Sequence, residues 1–202
     1  MNKTVQGFLF AFAYSIILTI AFFFYHLSSY GEVSPERLIA KVAGSASFIV
    51  FALSVIYGLY QSNQLYVRFR FLDAQLSQNT HRFLSWFGIF LAILHRQILD
   101  VSNYGFGNIF TSYGFHVLLG NIALIVFFLL ILSSEIRGKI LPMQLWRALH
   151  YLSFLGYVIV LIHAIVLSNQ GTINWVIYLS TLVPILLLTV LRILKSLNYV
   201  KI

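Results

Sequence analysis

The stretch HRFLSWFGIFLAILH, residues 81–95, begins and ends on histidine, and the only charge between the two is Arg82. HYLSFLGYVIVLIH, residues 150–163, repeats the arrangement with no charge at all inside it. As helices these segments are about 20 Å long, most of the thickness of a bilayer's hydrocarbon. Ionisable side chains are expensive in such spans and mark function there by default. His81, His95, His150 and His163 are therefore the candidate functional residues.

The rest of the chain places these stretches in the same solvent. Of 202 residues, 60% are hydrophobic and 9% charged, against about a quarter charged in soluble domains. Six apolar runs are long enough to cross a membrane as helices: 5–26, 38–61, 80–99, 116–133, 146–168 and 173–195. The expected fold is all-α, a six-transmembrane-helix bundle. The first run exceeds a signal-peptide core and no small-residue cleavage site follows it, so it reads as a retained helix. No linker or composition shift divides the chain, and 1–202 reads as a single domain.

Basic residues orient the bundle. Lys3, Arg68, Arg70, Arg82, Arg137, Lys139, Arg147, Arg192, Lys195 and Lys201 fall on one side, and Arg37, Lys41 and Arg96 on the other. Both termini are expected in the cytoplasm, and the setting is an integral, multi-pass protein of a bacterial plasma membrane with lipid as its surround. The net charge of +8 is mostly this topology signal, and no surface remains for a nucleic-acid partner.

Cysteine is absent and the only methionines are Met1 and Met143. That excludes Cys-ligated clusters, thiol catalysis and c-type attachment, and leaves bis-histidine ligation for any haem. His81 and His95 are separated by ~21 Å along the third helix, His150 and His163 by ~20 Å along the fifth. With both helices running outward, His81 lies level with His150 and His95 with His163, so each level can hold one iron. The first pair falls about 40° short of a common helix face and the second about 140° short. Gly156 offers one place for local distortion; approach from different sides of the helix is another. His26 and His116, at outer helix ends, read as interfacial.

The His-x13-His and His-x12-His spacings, with Gly44-Ser45-Ala46 in the second helix and Trp146-Arg147-Ala148-Leu149-His150 at the start of the fifth, resemble the ferric reductase-like transmembrane domain of NADPH oxidases, ferric reductases and their bacterial relatives. The resemblance implies two b-type haems, an inner one on His81 and His150 and an outer one on His95 and His163. Electrons would pass from a cytoplasmic flavin reductase domain or protein to an outside electron acceptor, oxygen or ferric iron. Arg68, Arg70, Arg82 and Arg147 are candidates for inner propionate contacts, and Arg37, Lys41 and Arg96 for outer ones. Phe83, Trp86, Phe87, Phe90 and Tyr157 are candidates for lining the haem slots, and the 62–79 segment with Arg137 and Lys139 for donor docking.

Departures from that family are specific. There is no Rossmann-like fingerprint, since Gly105-Phe106-Gly107 lies in an outside loop, so FAD and NAD(P)H are expected only on a separate domain or partner. Leu99 stands where the oxidases carry a further histidine, and Phe51 where their second helix carries an arginine, which weakens the implication of superoxide production. The haem membrane subunit of the periplasmic methionine-sulfoxide reductase system, fed by quinol or flavin, is a second resemblance; retention of His81 favours the two-haem core. Among other classes, a transporter lacks carboxylates inside its spans, a di-iron enzyme lacks clustered ligands, and a non-catalytic membrane anchor would be colourless.

Overall fold

The computed structural model describes residues 2–30, 34–68, 73–99, 111–167 and 172–197. Among them every regular element is a helix: α1 Lys3–Tyr30, α2 Pro35–Ser62, α3 Leu65–Arg68, α4 Ala74–Ile98, α5 Ser112–Ile136, α6 Met143–His150, α7 Leu152–Leu167 and α8 Thr172–Ser196. Local chemistry sets the starts. Ser34 accepts from the Arg37 N–H ahead of Pro35, Asp73 from Leu76 at 2.9 Å, and Thr111 from Gly114 at 3.0 Å, each satisfying a donor that the helix leaves unpaired. α5 ends in a turn where Gly138 takes φ +73°, a left-handed conformation that glycine adopts without penalty.

Five helical stretches are long and apolar enough to cross a membrane: Lys3–Ser28, Pro35–Ser62, Gly114–Ile136, Met143–Leu167 and Asn174–Ser196. The chain thus has the character of an integral membrane protein, with large apolar side chains such as Phe24, Leu129, Val176 and Leu187 facing outward, as lipid favours. The sixth expected span, α4, has the length but not the composition, because Gln75, Gln78, Asn79, His81, Arg82, His95, Arg96 and Gln97 dilute its apolar residues. Part of that polarity meets neighbouring helices, His81 and His95 bonding to α2 and Arg82 and Arg96 to α5, while Gln75, Gln78 and Gln97 are exposed. α4 lies antiparallel along α2, touching it at Gly58 with His81, Phe51 with Gly88 and Gly44 with His95. α2 is the hub: 61% of its apolar window is buried, against 17–22% for the other four candidates.

Polar contacts define one end of the bundle. Lys3 meets Asp73 at 2.7 Å, Arg82 meets Glu135 at 2.6 Å, Arg192 donates to the Ser62 carbonyl at 2.8 Å and Lys195 to that of Asn63 at 3.1 Å. The starts of α1 and α4 and the ends of α2, α5 and α8 therefore share this end. Pro184 lies within α8, which continues as helix on both sides.

One difference from the expected fifth helix concerns the 140° mismatch. The helix is interrupted at Tyr151, between α6 and α7, where Phe154 N–H bonds back to the Tyr151 carbonyl at 3.1 Å. This three-residue step lies between His150 and His163, but a single tight turn adds only about 20° per residue and does not by itself close a gap of about 140°. Gly156 is not the point of distortion; it lies inside α7 against Phe127.

Candidate functional site: two opposed imidazole pairs

The fold brings the four histidines together in two pairs. His81 and His150 have ring centroids 6.1 Å apart with planes at 75°, and His95 and His163 are 6.4 Å apart at 84°. Two imidazoles bound to opposite sides of one first-row metal, with metal–nitrogen bonds of about 2.0–2.1 Å and a ring centre just over 1 Å behind each nitrogen, have centroids about 6.3 Å apart. Both observed separations fit that arrangement.

Three of the rings are fixed through their other nitrogen. Nδ1–H of His81 donates to the Ser54 carbonyl at 2.7 Å, that of His95 to the Ala40 carbonyl at 2.7 Å and that of His163 to the His116 carbonyl at 2.8 Å. A carbonyl on Nδ1 selects the tautomer whose Nε2 carries a lone pair, which is how metal-binding imidazoles are commonly oriented. Ser54 tightens the first of these further, its hydroxyl lying 3.1 Å from His81 Nδ1 and 2.7 Å from Ser85 Oγ. Each fixed ring also rests on a glycine of the facing helix: a Cβ would lie 2.7 Å from His95 Nδ1 at Gly44, 3.2 Å from His81 Cε1 at Gly58 and 2.6 Å from His163 Cε1 at Gly120. At Gly44 and Gly120 a Cβ would force the imidazole to shift, whereas at Gly58 it would need only a few tenths of an ångström.

Between the two levels sits an apolar layer. Phe51 of α2 and Phe127 of α5 stack at 4.3 Å and 12°. Phe51 is seven residues from both Gly44 and Gly58, and the ring lies against Gly88, itself seven residues from both His81 and His95. Phe127 lies against Gly156. The pair therefore closes the middle of the bundle about 10 Å from either level.

Around His95 and His163 is a cavity of about 330 Å³, walled by Gly44, Phe48, Phe51, Phe127 and Tyr178 and edged by Lys41, Arg96 and His26. That volume falls in the range of small-molecule sites, about 300–1,000 Å³. Among the described residues no group of three or more His, Asp or Glu side chains gathers to hold a bare ion. A pair of imidazoles per level would instead suit a metal whose other ligands arrive with it, and the apolar walls with Lys41 and Arg96 would suit a flat, largely apolar group carrying acids at its edge. The residues present fit haem on these grounds.

Of the other expected contacts, Lys41 and Arg96 do border the cavity, Arg96 donating to Asn121 Oδ1 at 2.7 Å. Arg82 is engaged elsewhere, donating to both carboxylate oxygens of Glu135 at 2.9 and 2.6 Å, so its charge is already matched. Arg147 is exposed. Arg70 lies outside the described residues, and only the backbone of Arg68 is described.

Most of the aromatic candidates prove to be packing residues. Phe83 and Phe87 turn away to meet Phe8 of α1 at 5.3 and 5.7 Å, and Phe90 is 64% exposed. Tyr157 is buried, stacking on Phe48 and donating to Thr181. Nor is His26 interfacial: it is buried beside Phe22 and Tyr25, with Nε2 3.0 Å from Ser45 Oγ. Sequence reasoning missed Ser54, the seats at Gly58 and Gly120, and the phenylalanine pair. The signal was present in part, since Gly44 and Gly58 repeat the fourteen-residue step of His81 and His95.

No family model matches the chain, and no curated protein matches it.

Proposed function

We propose that this protein carries electrons across a membrane through two bis-histidine b-type haems, one held by His81 and His150 and the other by His95 and His163. The observation that supports this best is a pair of imidazoles on each of two levels, with ring centroids 6.1 and 6.4 Å apart. Haem, when bound, supplies a one-electron iron couple at each level. The chain's own residues supply the rest. Ser54, Ala40 and His116 hold three of the rings in register through their carbonyls, which restricts reorganisation when charge changes. The apolar Phe51–Phe127 layer excludes water between the levels, and Lys41 and Arg96 offset acid groups at the outer cavity's rim.

In this reading α4 is the sixth span, packed against α2, α1 and α5 with Phe90 and Ile93 left exposed, and both termini face the cytoplasm, as the positive charge at their end favours. The donor is a cytoplasmic flavin/NAD(P)H protein or domain and the acceptor, oxygen or ferric iron, lies outside. Four imidazoles on two levels favour a two-haem oxidoreductase core over a subunit lacking the inner ligand. The membrane is a bacterial plasma membrane.

The test is haem content per chain with a reduced-minus-oxidised spectrum for the unaltered protein, His81→Ala and His163→Ala. Two b-type haems are expected, falling to about one in each variant. A colourless protein despite ample haem supply refutes the proposal and leaves a membrane scaffold.

A further inference from the structure

The three fixed histidines obey one rule. The carbonyl that accepts from Nδ1 and the glycine under the ring are four residues apart on the same helix: Ala40 with Gly44, Ser54 with Gly58 and His116 with Gly120. Residues four apart share a helix face, so one turn of bare backbone makes each seat. On α2 the two seats are fourteen residues apart. The same step along α5, from His116 and Gly120, arrives at Leu130 and Ser134, level with His150.

This fourth seat is filled. Ser134 stands where the others have glycine, and the Leu130 carbonyl accepts from the hydroxyls of Ser133 at 2.8 Å and Ser134 at 2.9 Å. Ser134 Oγ in turn accepts from Trp146 Nε1 at 3.2 Å, and the Trp146 indole stacks on the His150 ring at 4.8 Å and 30°. His150 Nδ1 is buried and has no hydrogen-bond partner among the described residues. His150 is thus held by a stacking contact alone on that side, whereas its three counterparts are pinned by a directional bond.

We infer that His150 is the exchangeable ligand of the four and that Ser134 and Trp146 are the positioning residues that keep it so. The His81–His150 level then opens to a neutral diatomic ligand while the His95–His163 level stays closed. The inference rests on the haem reading above. Its physical basis is that a hydrogen bond on the distal nitrogen both orients a metal-bound imidazole and raises its basicity, and losing such a partner weakens metal binding by about 10–100-fold.

The experiment is carbon monoxide titration of the ferrous, haem-loaded full chain, with haem content and the midpoint potential of each level measured on the same samples. Carbon monoxide is expected to bind one haem of the two. Ser134→Gly, alone and with Ser133→Ala to release the same carbonyl, gives His150 the seat its counterparts have. Its carbon monoxide affinity should fall about 10–100-fold and the potential of that level should drop, because a more basic imidazole stabilises ferric iron. The reciprocal Gly120→Ser, whose Cβ would meet His163 Cε1 at 2.6 Å, should open the second level to carbon monoxide. Trp146→Phe, which keeps the stack but removes the donor to Ser134, should fall between the unaltered protein and Ser134→Gly. Two haems that both bind or both refuse carbon monoxide, or a Ser134→Gly protein with unchanged affinity and potential, overturn the inference and leave the haem reading intact. Absence of haem overturns both.

Discussion

Gly44 and Gly58 seat two histidines of the same helix with different clearances, so a single added methyl tests the site at both levels. A Cβ at Gly44 would lie 2.7 Å from His95 Nδ1 and 2.9 Å from Cε1; at Gly58 the nearest atom is His81 Cε1 at 3.2 Å. Ordinary contact begins near 3.5 Å, so Gly44→Ala must displace its imidazole by about 0.8 Å and Gly58→Ala by about 0.3 Å. Taken along the 2.7 Å bond from His95 to the Ala40 carbonyl, the larger shift lengthens it to about 3.5 Å, beyond useful range. The smaller leaves the His81 bond near 3.0 Å, still intact. Loss of such a supporting bond weakens metal binding by about 10–100-fold, or about 1.4–2.7 kcal/mol. Purified Gly44→Ala is therefore expected to hold about one haem per chain and Gly58→Ala close to two, read by pyridine haemochrome assay and redox titration. If Gly58→Ala lost haem while Gly44→Ala retained both with unchanged potentials, the seating argument would be wrong.

Other expectations follow from single contacts. Phe51→Ala and Phe127→Ala each remove a buried ring from the middle layer and should destabilise the protein by about 3–5 kcal/mol; a thermal-unfolding shift no larger than that of a surface substitution would contradict the packing. Gly88→Ala, whose Cβ would approach the Phe51 ring to 2.9 Å, should cost about 1–3 kcal/mol by overpacking, measured in the same assay. Arg82→Ala should change stability by under about 1 kcal/mol, since its pair with Glu135 is solvent-exposed and screened; a large, salt-independent loss would instead place Arg82 in the haem site. Asp73 has its carboxyl held below the ordinary carboxylate range, first by the hydrogen bond from Lys3 and then by that from the Leu76 N–H. A lowered folded value means its contribution is present above the unfolded value and lost as pH falls through the folded one. Asp73→Asn should flatten the acid limb of a stability–pH curve, and an unchanged limb would assign that limb to other groups.

Much of the architecture was legible because hydropathy in a membrane is a strong, local signal. Five runs, from 5–26 to 173–195, coincide with helices that qualify as spans, while 80–99 belongs to a more polar helix whose two histidines face α2. That distinction depends on which face meets which partner, and linear composition does not carry it. The level-by-level pairing of histidines could be anticipated from spacing, because rise per residue converts position into depth. Rotation about a helix axis could not, since the break in the helix falls at Tyr151 rather than at Gly156.

The roles of individual charges and rings divide in the same way. Long arginine side chains reach several partners, so counting them near a site said little; Arg82 found Glu135, fifty-three residues away. Phe83 and Phe87 sit between the third-helix histidines in sequence yet turn to α1, while the phenylalanine and tyrosine rings that do wall the cavity come from α1, α2, α5 and α8.

The amino-acid sequence by itself determined a helical membrane protein with four histidines at two depths, because burial in lipid demands long apolar helices and helix rise sets depth. Only the tertiary structure decided which carbonyl holds each ring, which glycine lies beneath it and why His150 is held differently. Those depend on contacts between helices far apart in the chain, where a difference of one methyl or hydroxyl at a seat determines how closely two backbones approach.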